Sequence, residues 1–213
     1  DKEGRTPFYN ACMNGNLEMV KLLWSVKANL NQEDSQQISP FYAACSNGHF
    51  SVIYFLTTLK KDKFLMTDKN SKKTGNDIKD AINKLNYHYD EYLIDFNRKN
   101  LSGTTPAHVI SMKGFDTIMT ILANIVDLNG KPQVLLNEQN NLGETPCFLA
   151  AKHGQSKVMK VFINLKDINK KKRINFYKEN FEGCSPSYIA SERGHSNIIK
   201  ELSLIKMDFN IPE

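Results

Sequence analysis

One short phrase constrains this chain more than its composition does. Gly4-Arg5-Thr6-Pro7-Phe8-Tyr9-Asn10-Ala11-Cys12-Met13-Asn14-Gly15 returns as Ser39-Pro40-Phe41-Tyr42-Ala43-Ala44-Cys45-Ser46-Asn47-Gly48. Later versions run Gly103-Thr104-Thr105-Pro106 to Gly114, Gly143-Glu144-Thr145-Pro146 to Gly154, and Gly183-Cys184-Ser185-Pro186 to Gly194. Five in-phase copies specify one structural unit used repeatedly, so the core is a strip between neighbouring units and not a central ball.

The unit reads as helix, tight turn, helix. Thr or Ser directly before Pro starts a helix, because the hydroxyl caps orphan amides and the proline ring sits where an N–H is dispensable. Ala11, Ala44, Ala150 and Ala190 are small enough to let a neighbouring helix approach, and Gly15, Gly48, Gly114, Gly154 and Gly194 end the first helix. A second amphipathic helix follows, with Met19, Val20, Leu22 and Leu23 as its apolar stripe in the first unit and Val52, Ile53, Phe55 and Leu56 in the next. Each unit has an oily face that it cannot bury alone.

The pattern Asp-x-x-Gly-x-Thr-Pro, then Ala, then Gly, then a Val/Leu-rich helix, resembles the ankyrin repeat, whose period is about 33 residues. Pro7 and Pro40 are 33 residues apart, while Pro106, Pro146 and Pro186 are spaced by 40, one period plus about seven inserted residues. The resemblance implies an all-α solenoid of stacked helix-turn-helix units with short β-hairpin fingers. Leu30-Asn31, Phe96-Asn97, Leu136-Asn137 and Phe209-Asn210 fall at matching places between units, and the resemblance puts these Asn side chains to work tying down the finger turns.

Taken as one domain, the chain divides into units of about 1–33, 34–66, 67–99, 100–139, 140–179 and 180–213. The third is irregular: it lacks the Thr-Pro phrase, holds an exposed Lys69–Asn76 loop, and then shows helical spacing from Ile78 to Phe96, which reads as a degenerate or inserted repeat. The chain starts within a repeat and stops where another would begin, so both ends are expected to be cut from a longer protein.

A net charge of +5 is mildly basic and lacks the dense Arg/Lys stripe interleaved with aromatics that nucleic acid calls for. Apolar runs fall short of the 18 or so residues of a membrane span, and a signal peptide pattern is missing, so neither nucleic acid nor membrane is an expected partner. Cys12, Cys45, Cys147 and Cys184 show no CxxC pairing. Stacked units would hold Cys12 and Cys45 about 10 Å apart, beyond disulfide reach, so reduced buried thiols and a cytoplasmic, reducing compartment are expected. For a secreted effector that compartment would be a host cytosol. Roughly one residue in ten is Asn, which reads as a genome bias more than as chemistry.

Signals for catalysis are weak throughout. Tyr9, Tyr42, His108, Phe148 and Tyr188 share the place where the family often has a His bonding to a neighbour, so His108 reads as structural. His88 and His153 have no partner at metal spacing, HExxH is absent, each glycine is explained by a helix end or turn, and Met112, Met119 and Met159 read as core or groove lining. Lys170–Arg173 reads as a solvated loop. The expectation is no enzyme, no cofactor and no metal.

Family resemblance places partners on a concave face made of fingers and first helices. Leu101, Met112, Leu142 and Phe181 are apolar at places expected to face water, the mark of an interface. Lys113, Glu144, Lys152, His153, Glu192 and Arg193 would supply the polar surround. The expectation is a monomeric protein-interaction scaffold that holds a protein or peptide there. The alternative is a substrate-recruiting or regulatory arm of a larger enzyme, channel or secreted microbial effector.

Overall fold

The computed structural model describes residues 1–60, 93–127, 129–203 and 205. Ten helices lie among these residues, in five pairs. They are α1 Pro7–Met13 with α2 Leu17–Ser25, α3 Pro40–Ser46 with α4 Phe50–Thr57, and α5 Pro106–Lys113 with α6 Asp116–Ala123. After them come α7 Pro146–Lys152 with α8 Ser156–Asn164, and α9 Pro186–Glu192 with α10 Ser196–Ser203. Each first helix begins at its proline, and in four units the hydroxyl before it caps the third helical amide. Thr6 Oγ1 accepts from Tyr9 N–H, Ser39 Oγ from Tyr42 N–H, Thr145 Oγ1 from Phe148 N–H and Ser185 Oγ from Tyr188 N–H, each at 3.1 Å.

First helices stack on first helices and second on second, so the core runs as a continuous strip. Ala44, Ala150 and Ala190 are fully buried where first helices meet, and Val20, Leu56, Leu122, Phe162 and Leu202 line the second-helix layer. Each large apolar side chain buried there stabilises the fold by about 1.5–3 kcal/mol relative to exposure. Met119 and Met159 are core residues, and Met112 is half-buried against that core. All four cysteines are free thiols, three of them buried and Cys184 half-buried. Burial pushes the Cys12 thiol up to about 12, which makes it an inert packing group.

The stack is continuous from the second pair to the third. α3 packs on α5 and α4 on α6, and Phe41 meets Phe96 edge to face at 5.2 Å. The expectation of a degenerate or inserted repeat over 67–99 falls, for residues 67–92, outside the described residues; Leu93–Lys99 form a finger arm. Asn210 also lies outside them.

The β-hairpin fingers expected from family resemblance are not there: among the described residues the chain is all-α with no strand. The arms carry isolated antiparallel bridges, Val126–Pro132 and Lys166–Lys172. The reason lies in the turn chemistry. A hairpin pair needs reciprocal N–H to C=O bonds, and here one of the two is diverted to a side chain. Asn140 N–H donates to Glu144 C=O (3.0 Å), but Glu144 N–H donates to Asn140 Oδ1 (2.9 Å), which also accepts from Leu142 N–H (2.9 Å). Asp34, Asn100 and Asn180 capture two amides each in the same way.

Asn31, Asn97 and Asn137 do a different job from the one expected. Each clamps the next described finger and not its own turn. Asn137 Nδ2 donates to Arg173 C=O (2.7 Å) while its Oδ1 accepts from Asn175 N–H (2.9 Å), and Asn97 grips Gln133 and Leu135 likewise. Asn31 makes the same pair of bonds to Leu93 and Asp95. At the corresponding place in the last described finger stands Tyr177, which has no amide to offer and is exposed.

Candidate functional site

The finger tips are joined laterally by a backbone ladder. Ser35 N–H donates to Glu3 C=O, Leu101 N–H to Gln36 C=O, Asn141 N–H to Ser102 C=O and Phe181 N–H to Leu142 C=O, at 2.8, 3.3, 3.1 and 3.1 Å. This ladder holds the tips in one row beside the first helices. Leu101, Leu142 and Phe181 stand on that row at 52%, 61% and 72% exposure, a run of large apolar side chains in water. Leu142 and Phe181 are brought together by the ladder bond. The Phe181 ring lies directly over Gly143, whose left-handed backbone (φ 77°) leaves no room for a side chain: a Cβ there would sit 2.5 Å from Phe181 N and 2.7 Å from its ring. Phe181 therefore packs finger on finger and is still mostly exposed.

The polar residues divide into two kinds, four that are exposed and the Glu144–Lys152 pair. Lys113 closes α5 and is exposed, as are His153, Glu192 and Arg193 at the ends of α7 and α9. Glu192 and Arg193 are in marginal contact at 4.0 Å, a surface pair of little energetic weight. His153 is held below the usual imidazole value by partial burial and by the Lys152 ammonium beside it. Met112 contributes its carbonyl to the stack, accepting from Gln155 Nε2 at 3.0 Å.

Glu144 departs from the expected exposed surround. The residue is 4% exposed, because Oε1 meets Lys152 Nζ at 2.6 Å and Oε2 accepts from Asn140 Nδ2 at 3.0 Å. The pair ties the finger to the last turn of α7. Removing the lysine would leave a buried carboxylate uncompensated, which costs roughly 3–5 kcal/mol in such sites, so Lys152 is engaged inside the fold before any partner arrives.

His108 extends this network toward α5. Its Nε2–H donates to Glu144 C=O at 3.0 Å, and Nδ1 accepts from Thr105 N–H at 3.2 Å and faces Thr105 Oγ1 at 2.7 Å. A carbonyl can only accept and an amide N–H can only donate, so the ring is the neutral Nε2–H tautomer. Burial lowers its pKa to about 4, against the raising effect of the Glu144 carbonyl. The role is structural, as it is for Tyr9, whose hydroxyl donates to Asp34 Oδ2 (2.9 Å) in the next unit.

His49 and His195 share one place before the second helices and read from sequence as surface or turn residues, but both are part-buried and bonded to the preceding unit. His49 Nε2–H donates to Met13 C=O (2.8 Å) and His195 Nε2–H to Lys152 C=O (3.1 Å), the same bond that Gln155 makes to Met112. At the junction between the second and third pairs Phe115 takes this place and lays its ring over Gly48, 2.9 Å from where a Cβ would stand. Their common position one residue after each helix-ending glycine was the available signal.

Among the described residues, no group of three or more His, Cys, Asp or Glu could hold a metal ion, and no helix is long and apolar enough to cross a membrane. The family model described as "Ankyrin repeats (3 copies)" matches the chain over residues 1–72, 75–173 and 132–212, which together take in nearly all of it. No curated protein matches the chain.

Proposed function

We propose that this chain, which belongs to the ankyrin-repeat family, binds a protein or peptide along the concave face of its third, fourth and fifth helix pairs. The family's scaffold is non-catalytic and mediates protein contacts; the face, the residues and the class of ligand are our reading. The observation that carries it is the row of exposed apolar tips, Leu101, Leu142 and Phe181, held in line by the backbone ladder. Large apolar groups on a rigid row are suited to be anchors, since little freedom is left to lose on binding. Lys113, His153, Glu192 and Arg193 surround them as exposed polar groups that steer approach. Glu144 and Lys152 act from beneath, by fixing the finger that carries Leu142.

The test starts with a binder isolated on the immobilised chain and measured by titration calorimetry. Phe181→Ala with Arg193→Glu should weaken it at least tenfold, about 1.4 kcal/mol, while thermal unfolding stays close to wild type, because both side chains are exposed. A binder whose affinity ignores this double change does not use the face, and the reading fails.

A further inference from the structure

The two long fingers between second helices and tips form a surface that the concave-face reading does not use. Their described residues, 125–127 with 129–134 and 165–174, are built alike. Asp127 Oδ1 accepts from the N–H groups of Asn129 (2.9 Å) and Lys131 (2.8 Å), and Asp167 Oδ1 accepts from those of Asn169 (2.9 Å) and Lys171 (2.8 Å). Gly130 and Lys170 take the same left-handed conformation, at φ 74° and 63°. The fingers are neighbours: a Cβ added at Gly130 would stand 3.8 Å from Ile168 Cδ1, in van der Waals contact.

Charge on this double finger is one-sided. Lys131, Lys166, Lys170, Lys171 and Lys172 are all exposed, and none has an ion pair among the described residues. The two carboxylates within the fingers, Asp127 and Asp167, are turned onto their own backbone amides. At the tip, Ile168 is 81% exposed.

Two features here, the facing of Lys166 with Lys172 and the left-handed Lys170, run against what stability alone would favour, while a cation–π contact holds Lys172 in place. Lys166 and Lys172 face each other across the bridge, where like charges repel. Lys172 is held over the Phe176 ring at 5.6 Å, and its pKa is lowered by desolvation and by Lys166. Lys170 occupies a left-handed position where a side chain costs about 1–2 kcal/mol and where the neighbouring finger has glycine. Strain and repulsion kept together at an exposed loop point to a binding role. The foundation is firm as well: Arg173 Nη1 donates to Ala123 C=O at the end of α6 (2.6 Å), and Asn137 clamps the arm.

We propose that this paired finger is a second docking surface, for an acidic peptide segment whose carboxylates meet the five lysines and whose apolar side chain rests on Ile168. Nucleic acid fits less well. Neither finger holds an aromatic ring for base stacking, and the sole arginine is committed to Ala123. A lipid surface fits less well too, since the described finger residues form no amphipathic helix with the broad apolar face that membrane association wants.

The experiment uses the full chain and a fluorescein-labelled twelve-residue peptide of alternating Glu and Leu-Glu-Glu blocks, followed by anisotropy at low and physiological salt. A finger exchange, Lys170→Gly, Lys171→Gln and Lys172→Pro, borrows Gly130 and Pro132 from the neighbouring finger at the first and third positions and should not lower the thermal unfolding midpoint, since it relieves the left-handed strain at position 170. Wild type should bind, more weakly as salt rises, and the exchange should lower affinity at least tenfold. Phe181→Ala with Arg193→Glu should leave this binding intact, which separates it from the concave face. The proposal is overturned if wild type does not bind the peptide, if the exchanged finger binds it equally, or if the concave-face pair abolishes it. Tighter wild-type binding to phosphatidylserine vesicles or to a single-stranded oligonucleotide than to the peptide overturns it as well.

Discussion

Acidification should destabilise this protein through His108. The ring is fully buried, and both nitrogens are engaged in a way that only the neutral tautomer satisfies. A second proton on Nδ1 finds an acceptor in Thr105 Oγ1 at 2.7 Å but displaces the Thr105 N–H and charges a dry site. The folded value of about 4 lies below the ordinary imidazole value of about 6.5, so between these two pH values the unfolded chain binds more protons. The contribution is therefore fully present above about pH 6.5 and is lost progressively toward pH 4. Between pH 7.5 and 5.0 the linkage amounts to about 2 kcal/mol. Urea unfolding at both pH values, on wild type and on His108→Gln, isolates the term because the other histidines are common to both. Wild type should lose about 2 kcal/mol more than the variant on acidification. Equal losses, or a native imidazole that titrates near pH 6.5 by NMR, would refute the assignment of His108 as a buried neutral donor.

Gly143→Ala and Gly183→Ala form a matched pair, since both glycines have φ 77° but only the first lies against Phe181. The second should cost about 1 kcal/mol for the left-handed backbone alone and the first clearly more, by urea unfolding; equal losses would mean that the finger-on-finger contact carries nothing. Asn137→Ala removes two bonds to the next finger and should lower stability by about 1–3 kcal/mol, with faster hydrogen exchange at the Asn175 amide as the local readout. An Asn175 amide that exchanges at the wild-type rate would remove the clamp from the account.

What the sequence made legible was whatever is local to one unit. Thr-Pro before Phe8 and Gly15 after Met13 declare a helix start and stop by chemistry within a few residues, and the apolar stripe of Val52, Ile53 and Leu56 declares a face. Contacts between units were less readable because their partners lie far along the chain, 36 residues apart for His49 with Met13 and 43 for Gln155 with Met112. The fingers were misread as hairpins for a related reason. Period and resemblance put two arms side by side, but whether they pair depends on where single amides point. The Asp or Asn that opens each turn takes the decisive one. The same turn explains Glu144. As a lone charged residue before Thr145 it reads as surface, but Asn140 four residues earlier and Lys152 eight residues later converge on it only after the turn and α7 have formed. Asparagine abundance, read as a genome bias, turns out to supply the clamps and several of the turn-openers.

These polar contacts also bear on how a row of apolar tips can serve as a binding face. Packing between small residues such as Ala150 and Ala190 brings helices close but is less directional than a hydrogen bond. The directional bonds run along the stack. Thr105 holds His108, His108 holds the Glu144 carbonyl, Glu144 holds Lys152, and the Lys152 carbonyl is held by His195. That chain crosses the third, fourth and fifth pairs, which carry Leu101, Leu142 and Phe181. Each link has one donor and one acceptor with little tolerance in distance, so register between these units is set by hydrogen bonds and the apolar strip supplies the bulk of the stability. On the proposed reading, a partner at the tips would meet side chains whose spacing is already decided, which is the condition under which three exposed apolar groups can act as one site.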